Sequence, residues 1–179
     1  MSKKKKATTK GLISLALYAL MQKMDYEEIT VKDLCLRAGV SRMSFYRYYS
    51  KKDDIFIDFC DERFEEFYEE ISKGDISDGP ELTLKMFYFI KKYYRQLKLL
   101  KMAHREFIIL YQLNNYSKYI LSHLKTKFLI EQRNNPIFAY FMAGGFFNIL
   151  LYWMETELKA TPEELNNMLY KMAAINIGK

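Results

Sequence analysis

Arg42, Met43, Ser44, Tyr46, Arg47 and Tyr48 fall within seven positions and bring guanidinium, hydroxyl and phenol donors together. Donors of this kind bind phosphate oxygens and the hydrogen-bonding edges of bases. Catalytic chemistry is poorly supplied by comparison. His104 and His123 are the only histidines, and neither has a cysteine or carboxylate at helical ligand spacing. Glu106 stands two positions after His104, which turns it to another face of a helix. There is no His-Glu-x-x-His, no Gly-x-Ser-x-Gly, no phosphate-cradling glycine loop and no Cys-x-x-Cys. The sequence points to a binding protein with no metal, no cofactor and no enzymatic activity.

The donors at 42–48 need elements to hold them. Thr30 followed by Asp33 is a Thr-x-x-Asp variant of the capping box, and it opens a short helix from Val31 to Ala38. Gly39 breaks that helix, since glycine takes positive φ freely at a helix C-terminus. Ser41 caps a further short helix, Arg42 to about Tyr48. Leu34, Ala38, Val40 and Phe45 supply a small core between the two. Two short helices joined by a tight glycine turn make a helix-turn-helix, whose second helix enters the DNA major groove. The same spacing also fits a pair of short helices in an ordinary bundle. Helix starts at Thr30, Ser41 and Ser50 would present free backbone N–H groups to phosphates.

Charge agrees with the first of these readings without deciding between them. The chain of 179 residues has 28 Lys/Arg against 22 Asp/Glu, a net +6. Residues 1 to 52 hold 12 of the basic residues and only four acids, so they carry +8 while the remainder carries −2. A basic first third on a slightly acidic remainder suggests one polyanion-binding part and one part with another task. Few Gly and Pro argue against a β-sandwich and against disorder. Two cysteines, Cys35 and Cys60, make neither a disulfide framework nor a zinc cluster. The basic run Lys3 to Lys6 has no long apolar stretch behind it, so a cytoplasmic protein is expected.

The rest of the chain reads as helix. A first helix is expected from about Thr9 to Met24, ended by Asp25 and Tyr26. Ser50 with Asp53 opens another, running to about Ser72, with Ile55, Phe56, Phe59, Cys60, Phe64, Phe67 and Ile71 at 3–4 spacing. Lys73 to Pro80 is the clearest connecting loop. Apolar-rich helical stretches follow at roughly 81 to 97, 99 to 113 and 116 to 132, then Ile137 to Met154. Thr161-Pro162-Glu163-Glu164 opens the last helix with a cap, an N1 proline and an acidic third position. No strand-like alternation occurs, and the fold class is all-α.

Residues 29 to 56 resemble the TetR family of bacterial transcriptional regulators. The resemblance rests on Thr30-Val31, Asp33-Leu34, Ala38-Gly39-Val40-Ser41, Phe45-Tyr46, Tyr49, Lys52 and Ile55 at fixed spacing. Ala143-Gly144-Gly145-Phe146-Phe147-Asn148-Ile149-Leu150, Trp153 and Thr161 to Leu165 look like the last two helices of a Gram-positive branch. The resemblance implies a three-helix DNA-binding head with a helix-turn-helix, plus a larger helical regulatory and dimerisation domain, about nine helices in all. Residues 1–52 would be the DNA-binding domain, a helix from about 51 would link it onward, and 53–179 would bind effector and dimerise. It implies phosphate contacts from Thr30, Ser41, Tyr46 and Lys52, and base reading by Arg42, Met43, Ser44, Arg47 and Tyr48. Met43 departs from the glycine frequent at its position, and either touches a thymine methyl or obstructs close approach. Lys3 to Lys6 resemble the family's basic arm.

The resemblance further implies a two-fold homodimer on a pseudo-palindromic double-stranded DNA operator. Residues 137 to 154 are eighteen uncharged positions, short for a membrane span, and Glu155 and Glu157 follow at once. A helix apolar on nearly all faces has to be buried on two sides. A dimer interface with residues 161 to 175 would do this through Phe141, Gly145, Asn148, Tyr152, Leu165, Met168, Leu169 and Met172. A buried monomer core helix and a membrane segment are the alternatives. In the family, the region between the 73–80 loop and Pro136 often encloses a small-molecule pocket. Here Phe87, Tyr93, Tyr94, Phe107, Tyr111, Tyr119 and Phe128 would line it, or would be plain core. The expected function is a sequence-specific DNA-binding regulator, a repressor released by a small-molecule effector. A co-regulator of the same fold acting by protein contact is the alternative, and a membrane-associated protein a remote one.

Overall fold

The computed structural model describes residues 8–74, 76–123 and 135–173. Among them the chain forms eight α-helices and no strand: α1 Thr9–Leu20, α2 Val31–Ala38, α3 Arg42–Tyr46, α4 Asp53–Lys73, α5 Gly79–Met102, α6 Glu106–His123, α7 Pro136–Glu155 and α8 Pro162–Ala173. One turn of 3-10 helix, Tyr26–Glu28, precedes α2. The arm Lys3 to Lys6, Phe128, the Met172 side chain and the later part of the expected 116–132 helix lie outside the described residues.

Several boundaries differ from those the sequence suggests, each for a physical reason. Helix α1 stops at Leu20, and residues 21 to 24 form a turn whose amides at Lys23 and Met24 both bond the Leu20 carbonyl. Tyr26, expected to end a helix, begins the 3-10 turn because its ring is buried against Phe56, 5.3 Å between centroids. Before α4, the carboxylate that accepts from the Ser50 and Lys51 amides is Asp54, at 2.8 and 3.1 Å, and not Asp53. Asp53 turns the other way, towards Tyr26 and Arg105.

The three stretches expected after the loop are two long helices. Lys98 and Asn115 are exposed polar positions on continuous helices rather than breaks. The actual break falls at residues 103 to 105. His104 takes φ +52 there, its amide bonds the Lys101 carbonyl at 3.0 Å, and the Arg105 amide bonds the Leu100 carbonyl at 2.9 Å. This is the paired C-terminal cap ordinarily built on glycine.

Two compact units emerge. The first comprises residues 1–60 and 96–108, the second 61–95 and 109–179. In the first, α1 packs on α2 and α2 on α3, with Ile13, Leu17, Leu34, Phe45, Ile55, Phe56 and Leu100 wholly buried. Asp58 holds this unit together with polar bonds, taking Lys10 from α1 and the Tyr49 hydroxyl at 2.8 Å. In the second, Phe67, Ile71, Ile76, Leu121 and Ala139 form a core cluster, and Phe87 stacks on Phe146 at 5.3 Å and meets Trp153 edge-on. Trp153 is fully buried, yet its indole N–H reaches the Ala160 carbonyl at 2.9 Å, so burial leaves no donor unsatisfied there.

Candidate nucleic-acid interface

The site begins with the start of α2. The Thr30 hydroxyl accepts from the Asp33 amide at 3.2 Å, and the Thr30 amide donates to the Asp33 carboxylate at 3.0 Å. That reciprocal pair fixes where α2 begins. At its other end Gly39 adopts φ +66, with its amide on Leu36 and the Val40 amide on the Cys35 carbonyl. A Cβ at Gly39 would meet nothing within 4 Å, so it is the backbone angle and not space that asks for glycine. Two residues later the Ser41 hydroxyl accepts from the Ser44 amide at 3.0 Å and starts α3.

Helix α3 has five residues, ending at Tyr46 where Tyr48 was expected, so Arg47 and Tyr48 lie in the following turn. Only Phe45 enters the core, between Tyr46 and Tyr49, with centroids 5.3 and 5.7 Å away. Arg42, Met43, Tyr46, Arg47 and Tyr48 are all exposed, Met43 by 78%, and Ser44 is half-buried. One buried aromatic thus orients a short helix so that its donors face outward. Helix starts leave their first amides without intrahelical partners, available to an anion.

Thr30 and Lys52 stand differently from their neighbours. The Thr30 hydroxyl also donates to the Asp33 carboxylate, at 2.5 Å, so its proton is already committed. The Lys52 ammonium is half-buried and meets three carbonyl oxygens, Tyr26, Glu27 and Ile29, at 2.5, 3.2 and 3.1 Å. Its three protons are matched by three acceptors inside the chain. Burial draws the Lys52 pKa below the ordinary lysine value, against the pull of Glu27 and Asp53. Tyr26 lies beneath this ammonium, 4.2 Å from ring centroid to Nζ, and its hydroxyl donates to Asp53. Burial first, then that bond, raises the Tyr26 phenol far above its usual range. Arg105 completes the group by bonding both Glu27 and Asp53. Sequence spacing carries no trace of Arg105 here, because it is 52 residues from Asp53.

The residues expected to line a pocket have differing individual surroundings. Phe87 is wholly buried against Phe146 and Trp153. Tyr93 donates to Glu66 at 2.5 Å, and Tyr94 is half-buried. Phe107 and Tyr111 are exposed, and Tyr119 lies at the surface with its ring stacked on His123. Of the residues expected at a dimer interface, Phe141, Gly145, Asn148 and Tyr152 form one exposed stripe along α7, at spacings of 4, 3 and 4. Ile137 and Tyr140 are exposed beside them and extend the surface the sequence suggested. On α8, Met168 is exposed, Leu169 half-buried, and Leu165 buried within its own unit.

Comparison with known proteins bears on this arrangement. A family model for bacterial regulatory proteins of the tetR family matches residues 13–59, from within α1 to the early part of α4. A model for a transcriptional regulator C-terminal region matches residues 78–174, more than half of the chain. Among solved structures, a TetR transcriptional regulator from Streptococcus agalactiae superposes with a TM-score of 0.62 at 21% identity, covering 92% of each chain. The TetR family repressor AlkX from Dietzia sp., implicated in biodegradation of n-alkanes, matches with a TM-score of 0.46 at 15% identity over 93% of this chain and 94% of its own. No curated protein matches the sequence.

Proposed function

Because the chain belongs to the TetR family of bacterial regulatory proteins, whose members regulate transcription by binding DNA, we propose that it is a cytoplasmic, homodimeric repressor. The observation that carries this reading is the outward face of α3, where Arg42, Met43, Tyr46, Arg47 and Tyr48 surround a single buried Phe45. Two such faces, set about one duplex turn apart by a two-fold dimer, would read the half-sites of a pseudo-palindrome. Arg42, Met43, Ser44, Arg47 and Tyr48 address base edges, Tyr46 and Ser41 address phosphates, and Thr30 contributes through the helix start it caps. Lys52 enters as a residue that shapes the approach to α2. Residues 1–52 do the DNA binding, and 53–179 dimerise and take up an effector.

Release follows a population shift, in which an effector binds the spacing of the heads that does not fit the operator. A second reading has the chain act through protein contact without an effector. The tight packing of Phe87 against Phe146 and Trp153, and the exposure of Phe107 and Tyr111, favour it. Titration of the purified protein against the duplex upstream of its own gene, by fluorescence anisotropy with unrelated duplex as competitor, tests the main reading. Tight binding that survives competition supports it. Weak binding that collapses as salt rises, with no sequence preference, overturns it.

A further inference from the structure

We propose that Arg105, at the junction of α5 and α6, is a positioning residue for DNA binding, because it clamps the segment that leads into α2. The proposal rests on the reading of α2 and α3 as the DNA-binding pair. The guanidinium uses all three of its nitrogens. Its Nη1 donates to the Ala103 and His104 carbonyls, both at 3.2 Å, which anchors it to the end of α5. Its Nε donates to Asp53 Oδ1 at 3.2 Å and its Nη2 to Glu27 Oε1 at 2.6 Å. The planar fork therefore joins three separate stretches of the same compact unit, residues 103–105, the start of α4 and the 3-10 turn.

The turn so held is the one that delivers Thr30. Tyr26 is buried beneath two cations, Lys52 at 4.2 Å and Arg105 at 5.2 Å from its ring centroid, both within cation–π range. Lys52 takes the carbonyls of Tyr26, Glu27 and Ile29, and Arg105 takes the Glu27 side chain and Asp53, the latter also the acceptor for the Tyr26 hydroxyl. Tyr26, Glu27 and Ile29, just before α2, are thus tied from both sides, by a lysine at the start of α4 and by an arginine far along the chain. Without the arginine, Glu27 and Asp53 lose the guanidinium that hydrogen-bonds both, Glu27 keeps only the Lys52 ammonium at 3.9 Å, the turn is held from one side only, and the start of α2 gains freedom relative to α3. A lysine at 105 keeps the charge but cannot reach both carboxylates and the carbonyls at once.

The test measures the full chain against a duplex enriched by wild-type protein from a randomised double-stranded library, alongside an unrelated duplex. Arg105→Gln should weaken binding to the enriched duplex about tenfold. Its binding to unrelated duplex should stay within about twofold, since that depends on phosphate charge and not on register. Arg105→Lys should recover part of the loss. Glu27→Gln should weaken binding too, and add little on top of Arg105→Gln because both break one clamp. Lys73→Ala, which breaks the exposed ion pair with Glu69, should leave binding unchanged. Hydrogen exchange at the amides of residues 28 to 33 should quicken in Arg105→Gln and not in Lys73→Ala. If Arg105→Gln and Glu27→Gln stay folded and bind the enriched duplex as wild type does, the proposal is wrong while the regulator reading stands. If wild type enriches no duplex, the regulator reading fails, and unchanged exchange at 28 to 33 would then sink the clamp as well.

Discussion

Arg42 and Arg47 flank α3 with guanidinium groups that are exposed, while Phe45 between them is the only residue of the stretch in the core. In the proposed function these exposed donors divide into base readers and phosphate contacts, two roles with different mutational signatures. Arg42→Ala or Arg47→Ala should change which bases are preferred, at about 1–3 kcal/mol per lost base contact. Tyr46→Phe should weaken all sequences alike. Affinities measured over a panel of single-base operator variants distinguish the two, and uniform scaling by the arginine variants would show that neither reads bases. Asp33 gives a prediction of its own. The Thr30 hydroxyl, then the Thr30 amide, hold its carboxyl below the ordinary value of 3.8. A carboxyl with a depressed folded pKa contributes stability above that ordinary value and loses it as pH falls through the folded one. Thermal melts of wild type and Asp33→Asn should therefore differ near neutral pH and converge as the pH falls below the ordinary carboxylate range and through the depressed folded value.

Elements were legible where a local chemical signal marks them and obscure where long-range packing does. The start of α2, the Gly39 turn, the start of α3 and the Pro162 start of α8 all follow from side chains within three or four positions of one another. The breaks at His104 and at Glu157 have no such signal. Glu157 and Leu158 take φ +52 and +57 after α7, with the Leu158 amide on the Trp153 carbonyl at 3.0 Å. These ordinary residues sit where glycine would be cheapest, one turn after the fully buried Trp153. A non-glycine residue in the left-handed region costs about 1–2 kcal/mol, partly offset by the greater freedom of glycine in the unfolded chain. Glu157→Gly should accordingly raise the melting temperature by about 2 °C. A fall instead would mean that the Glu157 side chain contributes more than its backbone angle costs.

At the scale of the molecule, α7 keeps an apolar stripe exposed among the described residues. Its most apolar eighteen-residue window has a mean hydropathy of 1.5, and only 33% of that window is buried. Ile137 is 79% exposed and Phe141 73%. A second copy laid along this stripe is the occupant that the proposed function needs. Gly145 offers a clean probe, because a Cβ there would meet nothing in its own chain within 4 Å. Gly145→Leu should leave the fold intact and raise the dimer dissociation constant about ten- to a hundredfold by overpacking the partner. Sedimentation velocity over a concentration series reads this directly, and an unaltered dimer would place the interface elsewhere. Loss of dimerisation should carry loss of operator affinity with it, while the affinity for unrelated duplex falls far less.

The all-helical class, the two short helices joined at Gly39 and the basic charge of the first third are properties of the sequence alone. Each depends on residues a few positions apart: Thr30 with Asp33, Gly39 after Ala38, Ser41 before Arg42. Tertiary structure decided the rest. It chose Asp54 over Asp53 as the cap of α4, because Asp53 is claimed by Tyr26 and Arg105. It set the Lys52 ammonium on three carbonyls of a turn 23 to 26 residues earlier, a set of contacts that local spacing does not mark. It ran α5 through Lys98 and broke it at His104. In each case the deciding partner lies tens of residues away, or the stop is set by what must be buried. Local spacing records hydrogen bonds to near neighbours, and it has no means of recording which distant group will compete for the same donor.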